Sequence, residues 1–220
     1  MTEVGNRMFS EPGNTQRKGG RLPREERRNQ LLAAATEIFV TRGYHAAQMD
    51  EISERAGVSK PVLYQHFPGK LDLYIAVQER YLDSLLSGVR NALASTTDNR
   101  ERIRAAIAAY YEFVDHESEG FRLVFESDIR SEPTVSKRVD ETLTACGDEI
   151  FRLISEDSGL DAARSRIIAE ALVGMSQQTA RWWLDADRPI TKNEAVDMTV
   201  LLAWGGMARV PLQHPGHALQ

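Results

Sequence analysis

Apolar residues recur at three- and four-residue intervals along most of the chain, the spacing of helices that bury one face. Leu31, Ala35, Ile38 and Phe39 form the first stripe. They predict a helix that opens at Pro23, a residue tolerated at the first helical position, and stops at Gly43. Two short helices follow, at about 48–55 and 59–66, separated by Ala56-Gly57-Val58. After Pro68-Gly69 comes a long stripe of Leu71, Tyr74, Ile75, Leu82, Leu85, Val89 and Leu93. Asp98 and Glu101 make a capping box for a helix carrying Ile103, Ile107, Tyr110 and Val114. A short apolar segment, Phe121 to Phe125, precedes a helix opened by Pro133 and closed at Gly159. Asp161 caps another that reaches past Trp182 and Trp183 to Pro189. Thr191 and Glu194 form a second capping box, for a last helix ending near Arg209. No alternating run closed by a hairpin turn occurs, and no repeat at a fixed period. The pattern predicts an all-α fold of nine helices.

Composition narrows the class. A chain of 220 residues, 42 % hydrophobic and 27 % charged, has ample material for a core. No apolar run approaches the roughly 18 residues of a membrane span. The opening MTEVGNRMFSEPGNTQRK lacks the apolar stretch of a secretory leader, so a cytoplasmic protein is expected. Cys146 is the only cysteine, which excludes an internal disulfide and any multi-cysteine metal site. Residues 1–20 and 213–220, rich in Gly, Pro and polar residues, are expected to be disordered. Charge is uneven: residues 1–70 carry a net +3 and residues 71–220 a net −8. A basic front on an acidic body suits an anionic partner held at one end.

The informative segment is QMDEISERAGVSKPVLYQHFPGK, residues 48–70. Asp50 and Glu51 suit the positive end of its first helix. Gly57 provides the left-handed residue that ends that helix, Val58 plugs the turn, and Ser59 serves as N-cap of the second. Pro61 falls in the first turn, where its missing N–H costs little. Helix, glycine turn, helix is the geometry that lays a second helix in a DNA major groove. With Leu63 and Phe67 turned inward, the outer face is left with Ser59, Lys60, Pro61, Val62, Tyr64, Gln65 and His66. Lys60 and Gln65 suit base edges, and Pro61 and Val62 suit a thymine methyl. Tyr64, His66 and Lys70 suit phosphate oxygens. Arg17, Lys18, Arg21, Arg24, Arg27 and Arg28 form a basic arm fit for an adjacent minor groove.

The run GYHAAQMDEISERAGVSKPVLYQHFPGK resembles the DNA-binding domain of TetR-type transcriptional regulators. The resemblance implies a homodimer on an inverted-repeat operator of double-stranded DNA, with helices 2 and 3 as the reading head. By match to the family pattern, Gln48, Ser59, Lys60, Pro61, Tyr64, Gln65, His66 and Lys70 take DNA-contact roles. One departure is Ala47, which stands where the family places a Thr or Ser cap on helix 2. In the C-terminal half, ASTTDNR, LISEDSGLD, LVGMS, WLDADRPI and AWGG are similar to the actinobacterial FasR-type regulators of fatty acid synthase genes. That similarity implies long-chain acyl-CoA as effector and control of fatty acid, ultimately mycolic acid, synthesis. Tyr110, Phe113, Phe121, Leu123, Phe125, Phe151, Val173 and Met175 are candidates to line an acyl tunnel. Ile168, Leu172, Trp182, Trp183, Val196, Val200 and Trp204 are candidates for the dimer contact.

The expected division is a reading head at 21–68 and a ligand-binding and dimerisation body at 69–212. No cofactor, metal or membrane partner is expected, and no catalytic residue. G-x-S-x-G, G-x-x-x-x-G-K, G-x-G-x-x-G and H-E-x-x-H are all missing from the sequence. The pair His214 and His217 falls in a Pro/Gly tail. Two alternatives stay open at this point. One is a TetR-type repressor of an efflux or catabolic operon that answers another apolar ligand. The other is a lipid-binding module or all-α enzyme without DNA activity.

Overall fold

A computed structural model describes residues 22–129 and 131–207, and every element among them is a helix. The basic residues Arg17, Lys18 and Arg21, the pair His214 and His217, and both terminal segments expected to be disordered lie outside the described residues.

α1 (Arg24–Ala46) starts just after Pro23, with Glu25 and Glu26 favourably placed in its first turn. It kinks at Gly43, whose φ of 71° and ψ of 171° are not helical. α2 (Met49–Arg55) and α3 (Lys60–His66) follow, joined by a turn in which Gly57 takes φ 63°. A side chain at that φ is strained, so glycine ends α2 there. Leu31, Phe39, Ile52, Leu63 and Phe67 are buried in the head and belong to the one hydrophobic core that continues through the body.

α4 (Lys70–Ala94) carries that core into the body through Leu73, Tyr74 and Val77. α5 (Asn99–His116) returns antiparallel to it, its first turn capped by the Asp98 side chain accepting from the Glu101 N–H at 2.8 Å. Glu117 alone separates α5 from α6 (Ser118–Phe125), which therefore begins earlier than the apolar run from Phe121 predicts. α6 lies close on α4 because Gly120 has no side chain: a Cβ there would sit 2.2 Å from the Tyr81 ring. α7 (Pro133–Asp157) and α8 (Ala162–Asp185) pack as a hairpin against α4 and α5. Asp161 caps α8 by accepting from the Arg164 N–H.

α8 stops at Asp185 and does not reach Pro189. Asp187 and Arg188 both take φ 56°, and the Arg188 N–H returns to the Trp183 carbonyl at 2.9 Å. The Trp183 indole N–H fixes this turn by donating to the Ile190 carbonyl at 2.8 Å. α9 (Lys192–Met207) opens with the predicted capping box: the Thr191 N–H donates to Glu194 and the Glu194 N–H to the Thr191 hydroxyl. No helix among the described residues is long and apolar enough to cross a membrane.

Candidate nucleic-acid interface and apolar cavity

The outer face of α3 is built as its sequence requires. Leu63 and Phe67 hold the helix to the head, while Ser59, Lys60, Pro61, Tyr64 and Gln65 are exposed and Val62 is half-buried. Ser59 occupies the N-cap position, but its hydroxyl makes no capping bond. The hydroxyl is thus left for an external acceptor. Gln48, not Ala47, occupies the corresponding position of α2 and also caps nothing with its side chain. Ala47 is fully buried, so no external group reaches it, and the apparent departure from the family pattern falls on a core position.

Lys60 is exposed and paired: its Nζ lies 2.6 Å from Asp50 Oδ2 on α2. That bond holds the ammonium above the ordinary lysine range. Asp50, read from the sequence only as a helix-dipole acid, therefore also poises the principal base-reading candidate. His66 is half-buried beneath Arg24, Arg28 and Arg27. Desolvation first, and those cations second, push its pKa below the usual value, so the ring is neutral at pH 7 and donates one N–H.

Lys70 is held within the head in this structure. Its Nζ donates to the carbonyls of Tyr44 at 2.8 Å, His45 at 3.1 Å and Ala47 at 3.0 Å, and sits 4.6 Å over the Tyr44 ring. An ammonium has three donors, and all three are consumed inside the head. Lys70 thus ties the first turn of α4 to the corner between α1 and α2. The N–H groups of the same corner, those of Tyr44 and His45, donate at 3.4 Å to the carboxylate of Asp128, from the loop after α6. Tyr74 anchors that loop by donating to the Leu123 carbonyl at 2.9 Å and meeting Ser127 Oγ at 2.6 Å. The head is clamped from α4 on one side and from the α6–α7 loop on the other.

A narrow apolar cavity of about 540 Å³, counting its open mouth, runs between α4, α5, α7 and α8. Its walls are Leu85, Val89 and Leu93 from α4 and Ile103, Ala106, Ile107 and Tyr110 from α5. Leu143, Cys146 and Ile150 close it from α7, and Leu172, Val173, Ser176 and Gln177 from α8. Of the predicted tunnel residues, Tyr110 and Val173 line it. Phe113, Phe121, Leu123, Phe125, Phe151 and Met175 do not. Phe121 and Phe125 meet as a tilted ring pair at 5.1 Å in α6, Phe113 and Leu123 are buried in the core, and Phe151 lies under the Arg166 guanidinium. The other walls come from all four helices, and those on α4 and α5 belong to apolar stripes already visible in the sequence, whose spacing reads equally well as plain core.

The candidate dimer residues divide. Leu172, Trp183, Val196 and Val200 are buried within the protomer, so no second copy reaches them. Ile168 and Trp204 are half-buried and Trp182 is 59 % exposed. The exposed large apolar side chains are their neighbours: Met198 at 58 %, Leu201 at 64 % and Leu202 at 69 % on α9, together with Trp182 on α8. Side chains this large and this exposed mark an interaction surface when they are contiguous.

Two family models match the chain. Residues 31–77 match the bacterial regulatory proteins of the tetR family, and residues 88–219 match the tetracyclin repressor-like C-terminal domain. The HTH-type transcriptional activator FasR of Mycolicibacterium smegmatis is 59 % identical over 201 residues, 91 % of this chain and 92 % of that one. A tetR-family transcriptional regulator from Streptomyces coelicolor superposes with a TM-score of 0.66 at 28 % identity, covering 85 % of this chain and 82 % of the other. The transcriptional regulator FadR from Bacillus subtilis, solved in complex with stearoyl-CoA, shares the fold with a TM-score of 0.68 at 19 % identity, over 81 % of this chain and 98 % of that one.

Proposed function

Because the chain belongs to the TetR family of bacterial regulatory proteins, we propose that it binds the operator of fatty acid synthase genes as a homodimer, with long-chain acyl-CoA setting its affinity. Residues 21–68 form the reading head and residues 69–212 the body, and the protein works in the cytoplasm.

In the head, Lys60 and Gln65 read base edges from the first and second turns of α3, and Pro61 and Val62 press on a thymine methyl. Gln48, Ser59 and Tyr64 hold phosphates, with the neutral His66 as one further N–H donor. Lys60 leaves Asp50 to do so, exchanging a carboxylate for the neutral acceptors of a base edge. The exposed face of Trp182, Met198, Leu201 and Leu202 joins two protomers, which a two-fold operator requires.

One observation carries the effector: the cavity is walled almost wholly by hydrocarbon and is narrow along its length. An unbranched chain fits such a slot and gains about 0.8 kcal/mol for each methylene buried. The clamp of Lys70 and Asp128 on the α1–α2 corner then couples the body to the head. A ligand changes DNA affinity only through the difference in its binding to two arrangements of that joint.

The test is a titration of fluorescent promoter DNA with the full chain, with and without palmitoyl-CoA or stearoyl-CoA, using free CoA as control. The long-chain esters are expected to change operator affinity within the range of about 5- to 150-fold typical of coupled sites. Identical affinity with all three overturns the assignment of the effector.

A further inference from the structure

The slot is not uniform along its length. α4 and α5 are joined by residues 95–98 and run antiparallel. Leu93 and Ile103 therefore stand level at the end far from the reading head, and Leu85 and Tyr110 at the end towards it. The far end, with Leu93, Ile103 and Ile150, offers only hydrocarbon. The polar wall groups lie towards the near end: Tyr110, Cys146 beside it, and Ser176 and Gln177 on α8.

Their donors are unequally free. Ser176 donates its hydroxyl to the Leu172 carbonyl at 2.8 Å. Gln177 is half-buried and keeps access to water. Burial pushes the Cys146 thiol up to about 11, leaving a neutral, weak donor. Tyr110 lines the slot and is only 6 % exposed, and burial raises its pKa so that the phenol stays protonated and able to donate. A phenol on the wall of an apolar slot gains from an acceptor that the occupant carries in.

We infer that the Tyr110 hydroxyl donates a hydrogen bond to the carbonyl oxygen of the bound acyl group, fixing the carbonyl end towards the reading head and the methyl end towards Leu93, Ile103 and Ile150. This rests on the acyl effector proposed above and adds its orientation. A saturated chain has no acceptor except at that carbonyl, and the buried phenol of Tyr110 stands at the near end of the slot. A thioester and a free carboxylate share the acceptor, and binding measurements separate them.

The experiment compares wild-type protein and Tyr110→Phe in calorimetric titrations with palmitoyl-CoA, palmitate and S-hexadecyl-CoA, a thioether that lacks the carbonyl oxygen. Wild-type protein is expected to bind the thioester about tenfold tighter than the thioether, a difference of about 1.4 kcal/mol. Tyr110→Phe is expected to bind both with the weaker affinity while keeping the wild-type melting temperature and ligand-free operator affinity. A Tyr110-dependent gain for palmitate as well as for the thioester shows that the same donor also serves a carboxylate, and the inference stands; a gain for palmitate alone overturns it. It is overturned if wild-type protein binds thioester and thioether equally, or if Tyr110→Phe retains the preference. The thioether comparison on wild-type protein decides the matter even if the variant folds poorly. Binding of none of the three compounds removes the acyl effector itself, and the orientation with it; binding of all three alike removes only the orientation.

Discussion

Lys70 separates a cation that organises the head from one that touches DNA. Lys70→Met keeps the aliphatic stem and removes the ammonium, leaving the carbonyls of Tyr44, His45 and Ala47 without their donor. Hydrogen bonds to a charged group are each worth about 1.5–3 kcal/mol when well buried. Lys70 is half-buried, so water replaces part of what is lost. The net cost expected is about 2–3 kcal/mol for the three together, not their sum. For a chain of this length each kcal/mol lowers the melting temperature by about 2–4 °C, which gives a fall of about 4–12 °C. Operator affinity is expected to drop because the α1–α2 corner loosens, yet its dependence on salt should not change, since no phosphate contact is removed. Thermal unfolding by circular dichroism and anisotropy titrations at several salt concentrations measure both quantities. Lys60→Ala is the contrast: an exposed side chain whose loss leaves the melting temperature nearly unmoved and relaxes preference for operator over random DNA. A Lys70→Met protein with wild-type melting temperature and a salt slope reduced by about 0.9 would refute the structural role and restore a phosphate contact.

Two further perturbations probe the body. Gly120→Ala places a methyl 2.2 Å from the Tyr81 ring, and overpacking of that kind costs about 1–3 kcal/mol even against the better helix propensity of alanine. A lowered melting temperature, partly recovered by a second substitution Tyr81→Leu, is the expected outcome, and an unchanged one means α6 moves freely. Leu201→Glu with Leu202→Glu puts charge on the open α9 face and is expected to convert dimer to monomer in sedimentation velocity, with near-native helicity and weakened operator binding. A dimer that survives both substitutions places the subunit contact elsewhere.

The head was legible because its rules are local. Gly57, Ser59 and Pro61 each announce a backbone conformation within a few residues, and the structure has Gly57 in the left-handed turn, Ser59 at the N-cap and Pro61 in the first turn of α3. What could not be read is what lies far along the chain. Lys70 looks like a free cation until α1 folds back and presents the carbonyls of residues 44–47. Asp128 shows its role only once the loop after α6 meets the kink at Gly43. On α8 and α9 the apolar content was visible but the phase was not. Trp182 and Trp183 are neighbours in sequence, as are Val200 and Leu201, and in each pair one member faces the core and the other faces out. A helix apolar on two faces leaves its sequence silent about which face belongs to its own subunit. The same ambiguity holds for the cavity: Phe113 and Phe121 belong to a packed core, while smaller aliphatic residues on α4 and α5 line the gap.

The two hydrogen bonds from the Tyr44 and His45 amides to Asp128, each 3.4 Å long, stand at the outer limit of such contacts. A link that weak caps the work one site can do on the other through it at about a kcal/mol or two. Linkage runs both ways. Whatever factor an occupant of the slot imposes on the grip on DNA, a duplex already held must impose on the retention of that occupant, so promoter-bound and free molecules would sense different concentrations of the same metabolite.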